Sequence, residues 1–146
     1  MDTINIDGVV ITPLKKIPNK LGDIYHALKS SEETFSQFGE AYFSTINYNE
    51  IKGWKKHNIM TLNLIVPVGK IRFVLFDERK NSNTSGQFAE IILSLDNYKR
   101  LTIPPGIWLA FNGVGKEQNL LLNIASIEHN PEEADKKDVN EIKYKW

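Results

Sequence analysis

From Gly39 onward the chain is a series of short apolar runs rich in β-branched and aromatic residues: AYFSTINY, MTLNLIVPV, KIRFVLFDE, GQFAEIILSL, KRLTIPPG, IWLAFNG and QNLLLNIASIE. Such runs, spaced by roughly 8 to 12 residues and cut by turn formers, predict an all-β sandwich or barrel. Turn residues around Gly69, from Asp77 to Gln87, around Asn97 and from Phe111 to Asn119 predict hairpins. Pro104, Pro105 and Gly106 predict a rigid corner, because proline donates no ladder hydrogen bond and cannot sit in a central strand. The only candidate helix is a short one within GDIYHALKSSEETFSQFG, where the apolar spacing is irregular. HNPEEADKKD, residues 129–138, reads as a solvated charged loop. The ending EIKYKW alternates Ile142, Tyr144 and Trp146 with charge, which predicts a half-buried edge strand. With no internal repeat, residues 1–146 form one domain, with a core over about 39–128 followed by the charged loop and the last strand.

Composition narrows the possible functions. With 41% apolar residues in 146, the chain can bury a sizeable core. Eighteen Lys plus Arg balance eighteen Asp plus Glu, so no global field attracts a polyanion, and neither nucleic acid nor a membrane surface is the expected partner. The absence of cysteine removes thiolate metal sites and thiol nucleophiles and fits a reducing compartment. The N-terminal MDTINIDGVVITPLKK has no basic leader, and no apolar run approaches a membrane span, so a soluble cytoplasmic protein is expected.

Two motif fragments carry no chemistry. GVGKE lacks the first glycine and the Ser or Thr of a phosphate-binding loop, and NTS at Asn83 to Ser85 matches a glycosylation pattern too short to be informative. His26 and His129, far apart in the sequence, read as lone surface or hydrogen-bonded core histidines. His57 does not, since in an extended IKGWKKH strand Gly53, Lys55 and His57 share one side while Lys52, Trp54 and Lys56 share the other.

The ordered pieces KGWKKH, Gly69, FDERKNSNTSG, LSLDNY and IPPGIWLAF, spanning Gly39 to Trp146, resemble the sugar-nucleotide 3,5-epimerase branch of the cupins, the family of dTDP-4-dehydrorhamnose 3,5-epimerase. The resemblance implies a double-stranded β-helix, the cupin jelly roll, forming a homodimer that shares strands across its interface. It also implies a small-molecule nucleotide sugar as partner and no cofactor. At the four positions where cupins hold a metal stand Lys55, His57, Leu62 and Leu109; one imidazole is too few ligands, so no metal is expected. At the epimerase positions, Lys55 replaces the His base, the proton-donating Tyr falls at or near Leu122, and the enolate-stabilising Lys falls close to Leu62. Lys52 stands for the Arg that contacts the diphosphate, while Glu40 and Tyr42 stand where Gln and Asn are expected.

Lys55 and His57 are therefore the candidate catalytic groups. Lys55 is either a base made available by burial or a charged contact to phosphate or carboxylate. The candidate substrate-binding residues are Lys52, Tyr42, Asn63, Trp108 and Asn123. Trp108 could stack on a sugar or base, and the two asparagines, inside apolar strands, need hydrogen-bond partners that a ligand hydroxyl or the backbone could supply. The leading function is a nucleotide-sugar cupin of surface-polysaccharide or deoxysugar synthesis that handles an NDP-4-keto-6-deoxy sugar. The alternatives are an inactive carbohydrate- or acid-binding cupin, and a structural or partner-binding protein with a filled barrel.

Overall fold

The computed structural model describes residues 4–146. The strands are β1 (Val10–Pro13), β2 (Lys16–Ile17), β3 (Ile24–Tyr25), β4 (Glu40–Thr45), β5 (Ile51–His57), β6 (Leu62–Val68), β7 (Lys70–Asp77), β8 (Phe88–Ser94), β9 (Lys99–Ile103), β10 (Ile107–Gly113), β11 (Leu120–Ala125) and β12 (Ala134–Lys136). They form one sheet in the order β1-β9-β6-β11-β4, a second in the order β12-β5-β10-β7-β8, and a two-stranded ribbon of β2 and β3. This is the predicted all-β jelly roll.

The connections differ from the hairpins read in the sequence. Asp77 to Gln87 does join a hairpin, β7 to β8. Gly69, Asn97 and residues 111–119 instead carry the chain from one sheet to the other, as does the Pro104–Gly106 corner. Turn chemistry marks where a strand stops but not which strand it then pairs with, and here burial of two facing sheets decides the pairing.

No helix forms over 22–39. Arg100, wholly buried on β9, donates to the Ala27 carbonyl at 2.6 Å, to the Thr34 hydroxyl at 2.9 Å and to the Glu32 carboxylate. Asn63 donates to the Thr34 carbonyl at 3.2 Å. These bonds hold the backbone of the segment against the sheet as turns, which outweighs its weak helical pattern. The C-terminal segment is likewise not an edge strand. After a 3-10 turn at Val139–Glu141, Ile142, Tyr144 and Trp146 lie over Trp54, Val74 and Trp108 on the outer face of the second sheet. The alternation in EIKYKW reports that burial, not strand pairing.

Between the sheets, the inward side chains change character from one end to the other. Toward β7, β8 and β9 they are Phe73, Leu75, Ile91, Leu93 and Leu101, nearly or fully buried, and burying each contributes roughly 1.5–3 kcal/mol. Toward β4, β5 and β11 they are mostly polar, Tyr42, Ser44, Lys55, His57 and Asn123 beside Leu121, and the space between the sheets stays open.

The motif around Asp77 braces this frame. Its buried carboxylate accepts from Arg79 Nε at 2.9 Å, Ser82 Oγ at 2.6 Å and Thr84 Oγ1 at 2.7 Å. Burial alone would raise its pKa, but these donors hold the carboxyl far below the usual range. The Arg79 side chain packs under Gly106, whose φ of +93° and close approach, 2.9 Å from an added Cβ to Arg79 Cδ, favour glycine there. The Gly106 N–H in turn donates to the His57 carbonyl at 2.7 Å, so DER and IPPG together fix the end of β5.

Candidate functional site

The open end of the sandwich is a cavity of about 280 Å³. The second sheet supplies Lys52, Lys55 and His57 from β5 and Leu109 and Phe111 from β10. The first sheet supplies Tyr42 and Ser44 from β4, Leu62 and Leu64 from β6, and Leu121 and Asn123 from β11. The barrel interior is therefore not filled with side chains at this end.

Lys55 and His57 share the inward face, as strand alternation requires. Lys52 does not follow it. The pairing of β5 with β10 shifts register between Leu109 and Phe111, so that Lys52 lies opposite Phe111 and lines the cavity instead of pointing outward with Trp54. Its Nζ donates to the Thr45 carbonyl at 2.6 Å. A bulge of this kind, which flips the face of a neighbouring side chain, leaves no mark on simple alternation.

Two of the expected binding residues lie elsewhere. Trp108 alternates with inward Leu109 and is buried on the outer face, its ring capped by Lys56 Nζ at 5.1 Å and Lys137 Nζ at 4.9 Å from the centroid. Asn63 is also turned away from the cavity. Its Oδ1 accepts from Thr102 Oγ1 at 2.5 Å and its Nδ2 donates to Thr34, so its polar atoms are satisfied within the protein. Tyr42 and Asn123 do meet in the cavity, with Asn123 Nδ2 donating to the Tyr42 hydroxyl at 2.9 Å. Burial, reinforced by Glu40, pushes the Tyr42 phenol pKa up against the opposing effect of that hydrogen bond, so Tyr42 keeps its proton.

The most consequential residue was hidden in the supposed solvated loop. Pro131–Glu133 forms a 3-10 turn, and Glu133 folds back under β5, only 5% exposed. One of its oxygens bonds His57 Nδ1 at 2.7 Å; the other accepts the backbone N–H groups of Asn58, Ile59 and Met60 at 3.0, 2.9 and 2.9 Å. Burial pushes its pKa up, but the His57 bond and the Met60 and Ile59 amides prevail and hold it at about 2. A carboxylate ionised at neutral pH can only accept, so His57 must carry its proton on Nδ1 and, when neutral, presents a lone pair on Nε2. The NPEE stretch did contain a signal: Asn130 caps the turn by accepting from the Glu132 N–H at 3.1 Å, and an Asn-Pro turn start is legible in sequence.

Beside this pair, β12 continues antiparallel to β5, and Lys56 opposite Asp135 makes an ion pair at 3.4 Å. Of the four cupin metal positions, Lys55, Leu62 and Leu109 line the cavity with no metal-binding group. The fourth, His57, already uses Nδ1 on Glu133. The residues present do not fit a cupin metal centre.

The two-sheet jelly roll with an open inter-sheet cavity is shared with known proteins. A dTDP sugar isomerase from Desulfovibrio desulfuricans superposes with a TM-score of 0.90 and 38% identity over 94% of this chain and 90% of that one. The spore coat polysaccharide biosynthesis protein SpsL of Bacillus subtilis is 26% identical over 145 residues, 97% of this chain and 96% of the relative. The dTDP-6-deoxy-D-glucose-3,5-epimerase RmlC of Legionella pneumophila, solved with dTDP-4-keto-L-rhamnose, shares the fold at a TM-score of 0.84 and 22% identity, over 94% of this chain and 76% of that one. No protein-family model matches. The chain belongs to the RmlC-like family of sugar-nucleotide epimerases and isomerases.

Proposed function

We propose that the cavity receives the hexose of a nucleotide-linked 4-keto-6-deoxy sugar, as in a dTDP sugar, and moves the proton on a carbon next to the ketone, in the service of polysaccharide or glycan synthesis. The observation that carries this reading is the His57–Glu133 pair facing Tyr42 across the cavity. His57 Nε2 is the base. Glu133 fixes its tautomer and stabilises the imidazolium that forms, as carboxylates do for catalytic histidines elsewhere. Lys55, which has no carboxylate partner among the described residues, stabilises negative charge developing on the ketone oxygen. Tyr42, on the opposite wall, returns a proton to the other face of the carbon. Leu122 turns away from the cavity, but its neighbour Asn123 turns in and holds the Tyr42 hydroxyl, so a phenol reaches the site from β4 in place of β11. Lys52 contributes positive charge toward the diphosphate. The Legionella enzyme's ligand, a dTDP-4-keto sugar, supports this substrate class.

Incubation with dTDP-4-keto-6-deoxyglucose in deuterium oxide tests it. The wild type is expected to introduce deuterium beside the ketone, and His57→Gln to lose nearly all of that exchange. Lys55→Ala is expected to slow exchange while a thermal shift with dTDP persists. A wild type that introduces no label would end the reading. The expected assembly is a homodimer in the cytoplasm. Edge strand β4 carries Phe43 and is preceded by Phe38, each 65% exposed, the kind of apolar edge that a second copy covers. Light scattering that returns the mass of a single chain would refute the dimer.

A further inference from the structure

The two faces of the β5–β12 pair carry their lysines differently. Residues directly opposite one another on antiparallel strands project to the same side, and Lys55 lies opposite Lys136 as Lys56 lies opposite Asp135. On the outer side both lysines are engaged. Lys56 pairs with Asp135 at 3.4 Å and Glu78 at 3.6 Å, while Lys137 reaches Glu78 at 3.8 Å and caps the Trp108 ring. On the inner side two ammonium-bearing chains stand across from each other. Among the described residues, neither Lys55 nor Lys136 has a carboxylate within ion-pairing reach. Like charges directly opposite each other destabilise a sheet, and a bound anion relieves that repulsion.

There is room for such an anion. Where the chain leaves β12 it opens a second hollow of about 430 Å³, bounded by Gly53, Lys55 and Lys136 and by Asp138 and Glu141 on the segment that follows. Gly53 and Lys55 line this hollow and the inter-sheet cavity alike, so the two adjoin at Lys55. Asp138 and Glu141 repel an anion from their part of the hollow and confine it to the rim that carries the two lysines.

We propose that Lys55 and Lys136 form a site for a diphosphate where the two hollows meet, with Lys136 a ligand-binding residue in its own right. Two unneutralised ammonium groups match a diphosphate, whose several negative charges are spread over its outer oxygens, better than a carboxylate with a single charge. Each ammonium has three donors and no acceptor, so each can bond a different phosphoryl oxygen while Lys55 keeps an N–H for the cavity. The diphosphate is either that of the nucleotide-linked sugar whose hexose fills the inter-sheet cavity, or a free ion beside it. The first source rests on the proposed function. The site itself rests on the lysine pair.

Calorimetry with inorganic pyrophosphate tests the site on the intact chain. Wild type is expected to bind one pyrophosphate per chain, Lys136→Gln about tenfold more weakly or worse, and Lys136→Arg within about threefold of wild type. Lys136 is exposed on a three-residue edge strand, and losing its charge removes a repulsion, so Lys136→Gln should melt no lower than wild type. Repeating the titration with saturating dTDP-glucose separates the two sources. Abolished pyrophosphate binding assigns the site to the substrate's own diphosphate, and retained binding assigns it to a free ion held beside the sugar. Pyrophosphate that fails to saturate wild type, or that binds Lys136→Gln as tightly as wild type, would overturn the inference. Neither result bears on deuterium exchange beside the ketone, so the proposed function stands or falls separately.

Discussion

Replacing Glu133 with Gln removes one negative charge from a site built around it. The carboxylate takes one side-chain and three backbone hydrogen bonds. Its folded pKa of about 2 lies below the ordinary value of 4.5. At about 1.4 kcal/mol per pH unit, that displacement corresponds to about 3 kcal/mol of folding stability. The sign follows from the displacement: the unfolded chain binds the proton more readily, so the contribution is full above the unfolded pKa and is lost as pH falls from about 4.5 toward 2. Urea titrations of wild type and Glu133→Gln across pH 7 to 2 isolate this group, because other carboxylates titrate in both proteins. The wild-type advantage should hold steady down to about pH 5 and then shrink by about 3 kcal/mol toward pH 2. The variant should also lose kcat far more than it raises KM, since Glu133 reaches substrate only through His57. A stability difference that stays constant over this range would refute the assignment of a buried, ionised, multiply bonded carboxylate.

Gly53→Ala should disrupt the site through the backbone, since an added Cβ would stand 2.3 Å from Ala110 Cβ and 2.8 Å from its Cα. Parting β5 from β10 should lower stability by roughly 1–3 kcal/mol, read by chemical denaturation, and abolish the thermal shift with dTDP. Unchanged stability and binding would show that the two strands are not packed this closely. Trp108→Phe should destabilise by roughly 1–2 kcal/mol through lost volume, yet leave dTDP affinity within twofold, because the ring lies outside the cavity and its Nε1 has no partner to lose. A tenfold fall in affinity would place Trp108 at the ligand after all.

The sequence by itself determined the all-β strand content and the inward pair Lys55 and His57, because a period of two and the turn residues act locally and survive any choice of partner strand; the jelly-roll class came from the resemblance to the sugar-nucleotide cupins. It also marked Tyr42 and Asn123, though not that they touch. Tertiary structure alone decided the rest. Lys52 faces the cavity because of a register shift against β10, Trp108 and Asn63 face outward because their strands are paired on particular sides, and 22–39 is pinned by Arg100 where a helix was expected. Glu133 was least legible of all. It lies 76 residues from His57 in a polar run that reads as solvent-exposed, and only closure of β12 on β5 buries its charge among donors. Whether a charged side chain is solvated or held in a site depends on which distant donors the fold brings to it, and no local pattern encodes that distance.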